Sequence, residues 1–230
     1  AWGDKLYTSP YRGYFNLGVG MPVLIGDISA GYRILDSDKT RLSIWGQYNG
    51  DLYKREHTTW HDHTASLGID LHQAVGRKAF LDGGLDYTYG FHDMPGDDGR
   101  FSQSTSRVNL TANLSAEHSG LSYLAGIRLQ HFGFYNPHFP GEEPSIDDPY
   151  NGYEPVRQNL VGVTFGGKLE TGSSSHIGMN IDADFLATGK HYVAGVPFLE
   201  ENAVHMPSQT SGLITLNPYY ELHNSSATLR

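Results

Sequence analysis

His57, His61 and His63 form the densest histidine cluster in the chain. Side chains two apart on a strand share a face, so His61 and His63 can present two imidazoles side by side. That is workable geometry for Zn²⁺, Ni²⁺ or Cu²⁺. The same face continues through Ala65, Leu67, Ile69 and Leu71, so the alternative is a pair of histidines at the edge of an apolar surface, with the metal unknown. His92 to Gly99 and the segment holding Glu142, Glu143, Asp147 and Asp148 offer carboxylates and carbonyls suited to Ca²⁺. The first does not fit the spacing of the calcium loop, and solvated turns are the simpler reading of both. Ser102, Ser104 and His92 could serve hydrolysis, yet no nucleophile-elbow or zinc-protease pattern joins them. Neither catalysis nor a cofactor is expected.

Other charges stand singly among small polar residues. In chain order they are Arg33 and Arg41, then Asp62, Asp70, Asp82 and Asp86, then Arg107, Arg128 and Lys168, then Asp182 and Asp184. Blocks of one sign on neighbouring strands would give a pore wall acidic and basic strips, whose field selects and orients a small polar solute. The alternative is a narrow interior filled by paired charges. Turn placement puts Asp70 near Lys78 and Asp86 across from Arg107. Gly84, Gly126, Gly162, Gly166 and Gly178 share these faces and favour open space. An aromatic stretch, with Phe134, Tyr135, Phe139, Tyr150 and Tyr153, suits carbohydrate or protein contacts.

The elements that must position these residues are strands. Ala79, Leu81, Gly83, Leu85, Tyr87, Tyr89 and Phe91 alternate with Lys78, Phe80, Asp82, Gly84, Asp86 and Thr88. The same rhythm runs through Arg107 to Ala116, Leu121 to Gln130 and His176 to Ala187. About ten such segments are predicted, over roughly 12–20, 26–35, 40–49, 58–71, 78–91, 103–117, 121–134, 157–170, 176–188 and 210–222. Short polar connections take turns with longer ones at Gly50 to His57, His92 to Ser102, Tyr135 to Pro155 and Gly189 to Gln209. That alternation is the mark of an antiparallel up-and-down sheet.

Composition narrows what such a sheet can be. The chain has 230 residues, of which 38% are hydrophobic and 18% charged, with 28 glycines, 15 tyrosines and no cysteine. Helical and disordered classes fit poorly, and thiolate metal sites and disulfides are excluded. A net charge of −9 argues against nucleic acid. The longest apolar runs, such as Val193 to Leu199, are far too short for a membrane helix. A soluble barrel would pack the apolar faces into a core, whereas a transmembrane barrel would turn them to lipid. Strand length, the scarcity of Lys and Glu on the polar faces, and aromatics near strand ends favour the membrane.

Segments such as Arg12-Gly13-Tyr14-Phe15-Asn16-Leu17-Gly18 complete a texture that resembles the Gram-negative outer-membrane β-barrels, with a flavour similar to Bacteroidota barrels and to the barrel part of receptor-type transporters. The resemblance covers nearly the whole chain. It implies an all-β, membrane-spanning antiparallel barrel in the outer membrane, with no enzymatic activity. Residues 1–230 would be a single barrel domain or a fragment of a longer one, with any signal peptide already removed. Ser226 to Arg230 reads as the start of a further strand rather than the aromatic ending usual in such barrels. The implied function is transport, porin-like or receptor-coupled, of a small polar solute; the alternative is a structural or adhesive barrel. Implied partners are outer-membrane lipid, lipopolysaccharide and, for an incomplete barrel, a partner chain.

Overall fold

The computed structural model describes residues 11–20, 24–55, 58–96, 99–135, 156–172, 175–189, 191–193, 204–223 and 228–229. Nine strands follow one another: β1 (Gly13–Gly20), β2 (Leu24–Asp36), β3 (Thr40–Arg55), β4 (Thr58–Ala74), β5 (Ala79–Gly96), β6 (Gly99–His118), β7 (Leu121–Tyr135), β8 (Val156–Gly172) and β9 (Ser175–Thr188). A small separate hairpin, β10 (His191–Val193) with β11 (Val204–Met206), precedes β12 (Gln209–His223) and the two-residue β13 (Thr228–Leu229). Each strand of the large sheet pairs antiparallel with its neighbour, in the order β1 to β9, then β12 and β13. This is an up-and-down meander of ten long strands, with no helix among the described residues.

All ten expected strands are present, but two connections differ from expectation. Gly50 to His57 and His92 to Ser102 read as long loops, whereas β3 pairs with β4 as far as Arg55–Thr58 and β5 with β6 as far as Gly96–Gly99. Pairing therefore runs past the point where apolar alternation stops. Backbone ladders persist wherever two strands stay aligned, while alternation is needed only where one face meets an apolar medium.

Local chemistry sets the turns. Between β6 and β7, Ser119 and Gly120 both have positive φ, 49° and 79°, as the tight hairpin turn matched to strand twist requires. In the β2–β3 turn, Ser37 Oγ accepts a hydrogen bond from the Thr40 amide at 3.0 Å. A bulge between Arg33 and Leu35 inserts one residue into β2. The insertion shifts face parity, bringing Asp36 to the same face as Arg33.

The packing is not that of a soluble domain. Trp60 is the only buried hydrophobic residue among those described. The chain exposes 16398 Å², against about 10,000 Å² for a folded soluble monomer of its mass. Registered pairing carries one belt across eight strands: Tyr32, Ile44, Ile69, Leu85, Leu110, Leu129, Val161 and Phe185. These residues are 37–52% exposed. The opposite face is polar and less exposed, as in β9, where Ile177, Met179 and Phe185 stand out while the alternate positions are half-buried. A sheet curled toward its polar face gives this asymmetry. We call the apolar face outward and the polar face inward.

Candidate functional site

The inward face carries the chemistry. Strand register places Arg33, Arg41, Asp62, Asp70, Asp82, Asp86, Arg107, Arg128, Lys168, Asp182 and Asp184 all on it. Most of them have a partner among the described residues. Asp36 receives Arg33 Nη1 at 2.9 Å and lies 3.5 Å from Arg41 Nε. His72 Nδ1 donates to Asp82 Oδ1 at 2.5 Å, and His92 Nδ1 donates to Asp62 Oδ1 at 2.8 Å. Arg128 Nη2 reaches Asp184 at 2.6 Å, and Lys168 Nζ lies 3.3 Å from Glu221. Asp182 accepts from Thr164 Oγ1 at 2.7 Å. The basic side chains Arg33, Arg41, Arg128 and Lys168 are thus tied to carboxylates, whereas Asp62 and Asp82 meet histidines, which carry charge only when protonated, so the β4–β5 part of the face stays acidic.

Two expected neighbours are corrected. Asp70 stands opposite Gly84, not near Lys78, and Asp86 stands opposite Asn109, whose Nδ2 donates to it at 2.8 Å. Arg107 faces Thr88 on one side and Phe132 on the other. Lys78, in the turn before β5, instead pairs with Glu117 at 2.7 Å. The hydrogen bond to that carboxylate holds the Lys78 amine above its ordinary pKa. Of the expected site charges, Arg107 and Asp70 alone make neither an ion pair nor a side-chain hydrogen bond among the described residues, which leaves them available to a solute. Asp70 shares a concavity of about 400 Å³ with Arg33, Arg41, His72, Asp82 and Thr111.

The inward glycines are not simply open space. A side chain at Gly162 would meet Asp184 Oδ1 and, at 3.3 Å, Arg128 Nε and Nη2. The absence of a Cβ is therefore what lets the Arg128–Asp184 bridge cross β8. Asn113 lies over Gly126, Tyr219 over Gly178, and Thr111 Oγ1 beside Gly84 at 3.0 Å. Inward aromatics do the same, with Trp45 over Gly68 and Tyr14 over Gly31.

At the end of the sheet away from the short turns, Tyr53 and Trp60 stack on the inward face with centroids 6.2 Å apart and planes within 8°. Trp60 is 8% exposed and its Nε1 has no hydrogen-bond partner among the described residues. This aromatic shelf, beside Asp51 and Asp62, went unnoticed in the sequence because Tyr53 fell in an expected loop. Its signal is the alternation of Asp51 with Tyr53, and of Trp60 with Asp62. Among the loop aromatics, Phe134 is on the inward face opposite Thr105 and Val156, and Tyr135 pairs with Ser104. Phe139, Tyr150 and Tyr153, and the acidic segment around Glu142, lie outside the described residues.

The outward face has its own polar corner at the same end. His61 and His63 share it as expected, their ring centroids 5.7 Å apart; His57 lies outside the described residues. Asp93 does not point into a calcium loop. Its side chain, 1% exposed, accepts from the His61 amide and His61 Nδ1 at 2.9 Å each, and from Ser102 Oγ at 2.6 Å. Ser102 therefore does not meet His92, which points inward to Asp62.

No protein-family model matches the chain, and no curated protein matches it significantly. Solved structures do. The ferric-catecholate import receptor Fiu from E. coli K12, in its closed form, superposes with a TM-score of 0.65 at 8% identity, over 92% of this chain and 43% of that one. The FrpB iron transporter from Neisseria meningitidis gives 0.61 at 12% identity, over 87% and 34%. The copper transporter OprC gives 0.60 at 12%, over 90% and 35%. The chain thus spans well under half the length of each. Its fold is that of a Gram-negative outer-membrane barrel. The narrower resemblance to Bacteroidota barrels draws no support from these structures.

Proposed function

We propose that the chain is a wall segment of an outer-membrane transport barrel, and that its inward face lines the route of a small polar solute. The observation that carries this reading is the division of the sheet: a continuous apolar belt outward, a lattice of charged and polar groups inward, and no core between. Outer-membrane lipid and lipopolysaccharide would cover the belt. The solved structures that share the fold are described as an import receptor and as iron and copper transporters, which supports import over an adhesive or purely structural role. Receptor-coupled uptake is preferred to a porin because the fold is shared with an import receptor. The reading contains no catalytic step.

The two outer edges of the sheet, β1 and β13, carry no further strand among the described residues. Open edges are not tolerated in hydrocarbon, so in this reading more strands, from the same chain or a partner, complete a wider barrel. Arg107 and the Tyr53–Trp60 shelf are the groups assigned to solute contact. The test is uptake by cells carrying the complete barrel. Arg107→Gln and Trp60→Ala should each depress uptake at least several-fold without lowering the amount of folded protein. Uptake unchanged in both variants would overturn the assignment of solute contact to this face.

A further inference from the structure

We propose that His61 and His63 form a two-imidazole site for a borderline divalent transition-metal ion, Cu²⁺ ahead of Zn²⁺, at the outer rim of the apolar face. Three observations meet there. First, the two residues are two apart on β4 and share the outward face, with ring centroids 5.7 Å apart. Second, both Nδ1 atoms are engaged. His61 Nδ1 donates to the buried Asp93 carboxylate at 2.9 Å, and His63 Nδ1 lies 2.8 Å from the Tyr48 hydroxyl, with the two rings stacked at 6.0 Å. Third, neither Nε2 has a partner among the described residues, so both are left to ligate.

This is the arrangement that a metal site needs from its supporting groups. A carboxylate on Nδ1, as Asp93 is for His61, fixes the tautomer, orients the ring and raises the basicity of Nε2, while the Tyr48 hydroxyl orients the His63 ring and can accept from its Nδ1 when Nε2 ligates. Asp93 is itself held by the His61 amide and Ser102 Oγ, so the orienting carboxylate cannot swing away. The outward face would otherwise be an odd place for a carboxylate with 1% exposure. Position also fits. His63 is six residues from Ile69 of the belt, or about 20 Å along a strand and about 15 Å along the normal of a tilted one. An apolar band about 25 Å tall reaches only about 12 Å from its middle. The imidazoles therefore sit just beyond hydrocarbon, where an aqueous ion can reach them. Two imidazoles leave the remaining coordination to water, and nitrogen ligands with water favour Cu²⁺ over Zn²⁺ by the usual order of divalent affinities.

The experiment is titration of the complete folded barrel in detergent with Cu²⁺, read by calorimetry and by electron paramagnetic resonance. His61→Asn keeps an N–H to offer Asp93 while removing the Nε2 ligand; His63→Phe keeps the stack on Tyr48. We expect one tight equivalent showing two coordinated nitrogens, and at least a tenfold loss of affinity in each variant. Asp93→Asn should weaken the site by about tenfold to a hundredfold, the usual effect of losing an orienting carboxylate. His72→Asn, on the inward face, should leave the tight equivalent intact and controls for the remaining histidines. A tight equivalent that survives both ligand variants, or a signal from a single nitrogen, would overturn the proposal. So would a loss with His72→Asn equal to that with His61→Asn.

Discussion

Leu85 and Leu121 are both outward, and they are almost equally exposed, at 45% and 44%. They differ in depth. Leu85 sits in the middle of the belt, with Ile69 and Leu110 directly opposite on the flanking strands. Leu121 opens β7 beside the Ser119-Gly120 turn. On the surface of a soluble sheet, replacing either with arginine would cost about the same, because exposure is the same. In a bilayer the midplane penalty for arginine is about 2–4 kcal/mol and the interfacial one about 0–1 kcal/mol. The expected difference is about 2–3 kcal/mol, or roughly thirty- to 140-fold in the folding equilibrium. Asp86→Asn, one residue from Leu85 but inward, loses only the charge in a half-buried hydrogen bond with Asn109. That bond contributes about 1 kcal/mol. Denaturant titration of the complete barrel folding into vesicles, scored by band shift on unheated gels, measures all three. Equal losses for Leu85→Arg and Leu121→Arg would refute the reasoning, as would a larger loss for Asp86→Asn than for Leu85→Arg.

Gly162→Ala should destabilise by about 1–3 kcal/mol, because the new methyl group occupies the path of the Arg128–Asp184 bridge. Gly167→Ala has nothing within 4 Å of the added atom and should be near neutral in the same titration. Gly120→Ala places a side chain at φ 79° and should cost about 1–2 kcal/mol, read as a lower denaturant midpoint. The Lys78–Glu117 pair gives a pH test. A lysine held above its ordinary pKa contributes stability that is complete below that value and is lost as pH rises through the higher folded one. Lys78→Met should therefore remove an alkaline loss present in the parent while leaving the profile near neutrality unchanged in shape.

The strands were legible because lipid imposes its demand residue by residue. Leu85, Tyr87 and Tyr89 had to face one way and Asp86 the other, and a one-residue slip would have put charge into hydrocarbon. Where the apolar medium ends, that demand ends too. Asp93 to Gly96 looked like loop for this reason, though the ladder runs on to Gly96. The bulge at Ile34 escaped notice because one inserted residue leaves composition unchanged, yet it decides that Asp36 joins Arg33 and Arg41. Charge partners were the least legible feature. They depend on register between strands, which sets His61 against Asp93, Asp62 against His92 and His72 against Asp82 on the single seam between β4 and β5. Chain order shows only blocks of sign, whereas cross-strand register decides which group each charge meets. The same register joins Tyr53 to Trp60 across a connection that the sequence presented as a loop.

The account rests on the outward face meeting lipid along the whole central part of β5. The 230 residues contain no cysteine, so single cysteines placed at each position from Asp82 to Thr88 of the complete barrel can be spin-labelled without a background from this segment. Collision with oxygen, which concentrates in hydrocarbon, and with a water-soluble nickel chelate then reports the surroundings of each label in vesicles. The account predicts a period of two: high oxygen and low chelate accessibility at Gly83, Leu85 and Tyr87, with the opposite at Asp82, Gly84, Asp86 and Thr88. Uniform chelate accessibility at both sets of positions, or oxygen maxima at Asp82, Gly84 and Asp86, would contradict it.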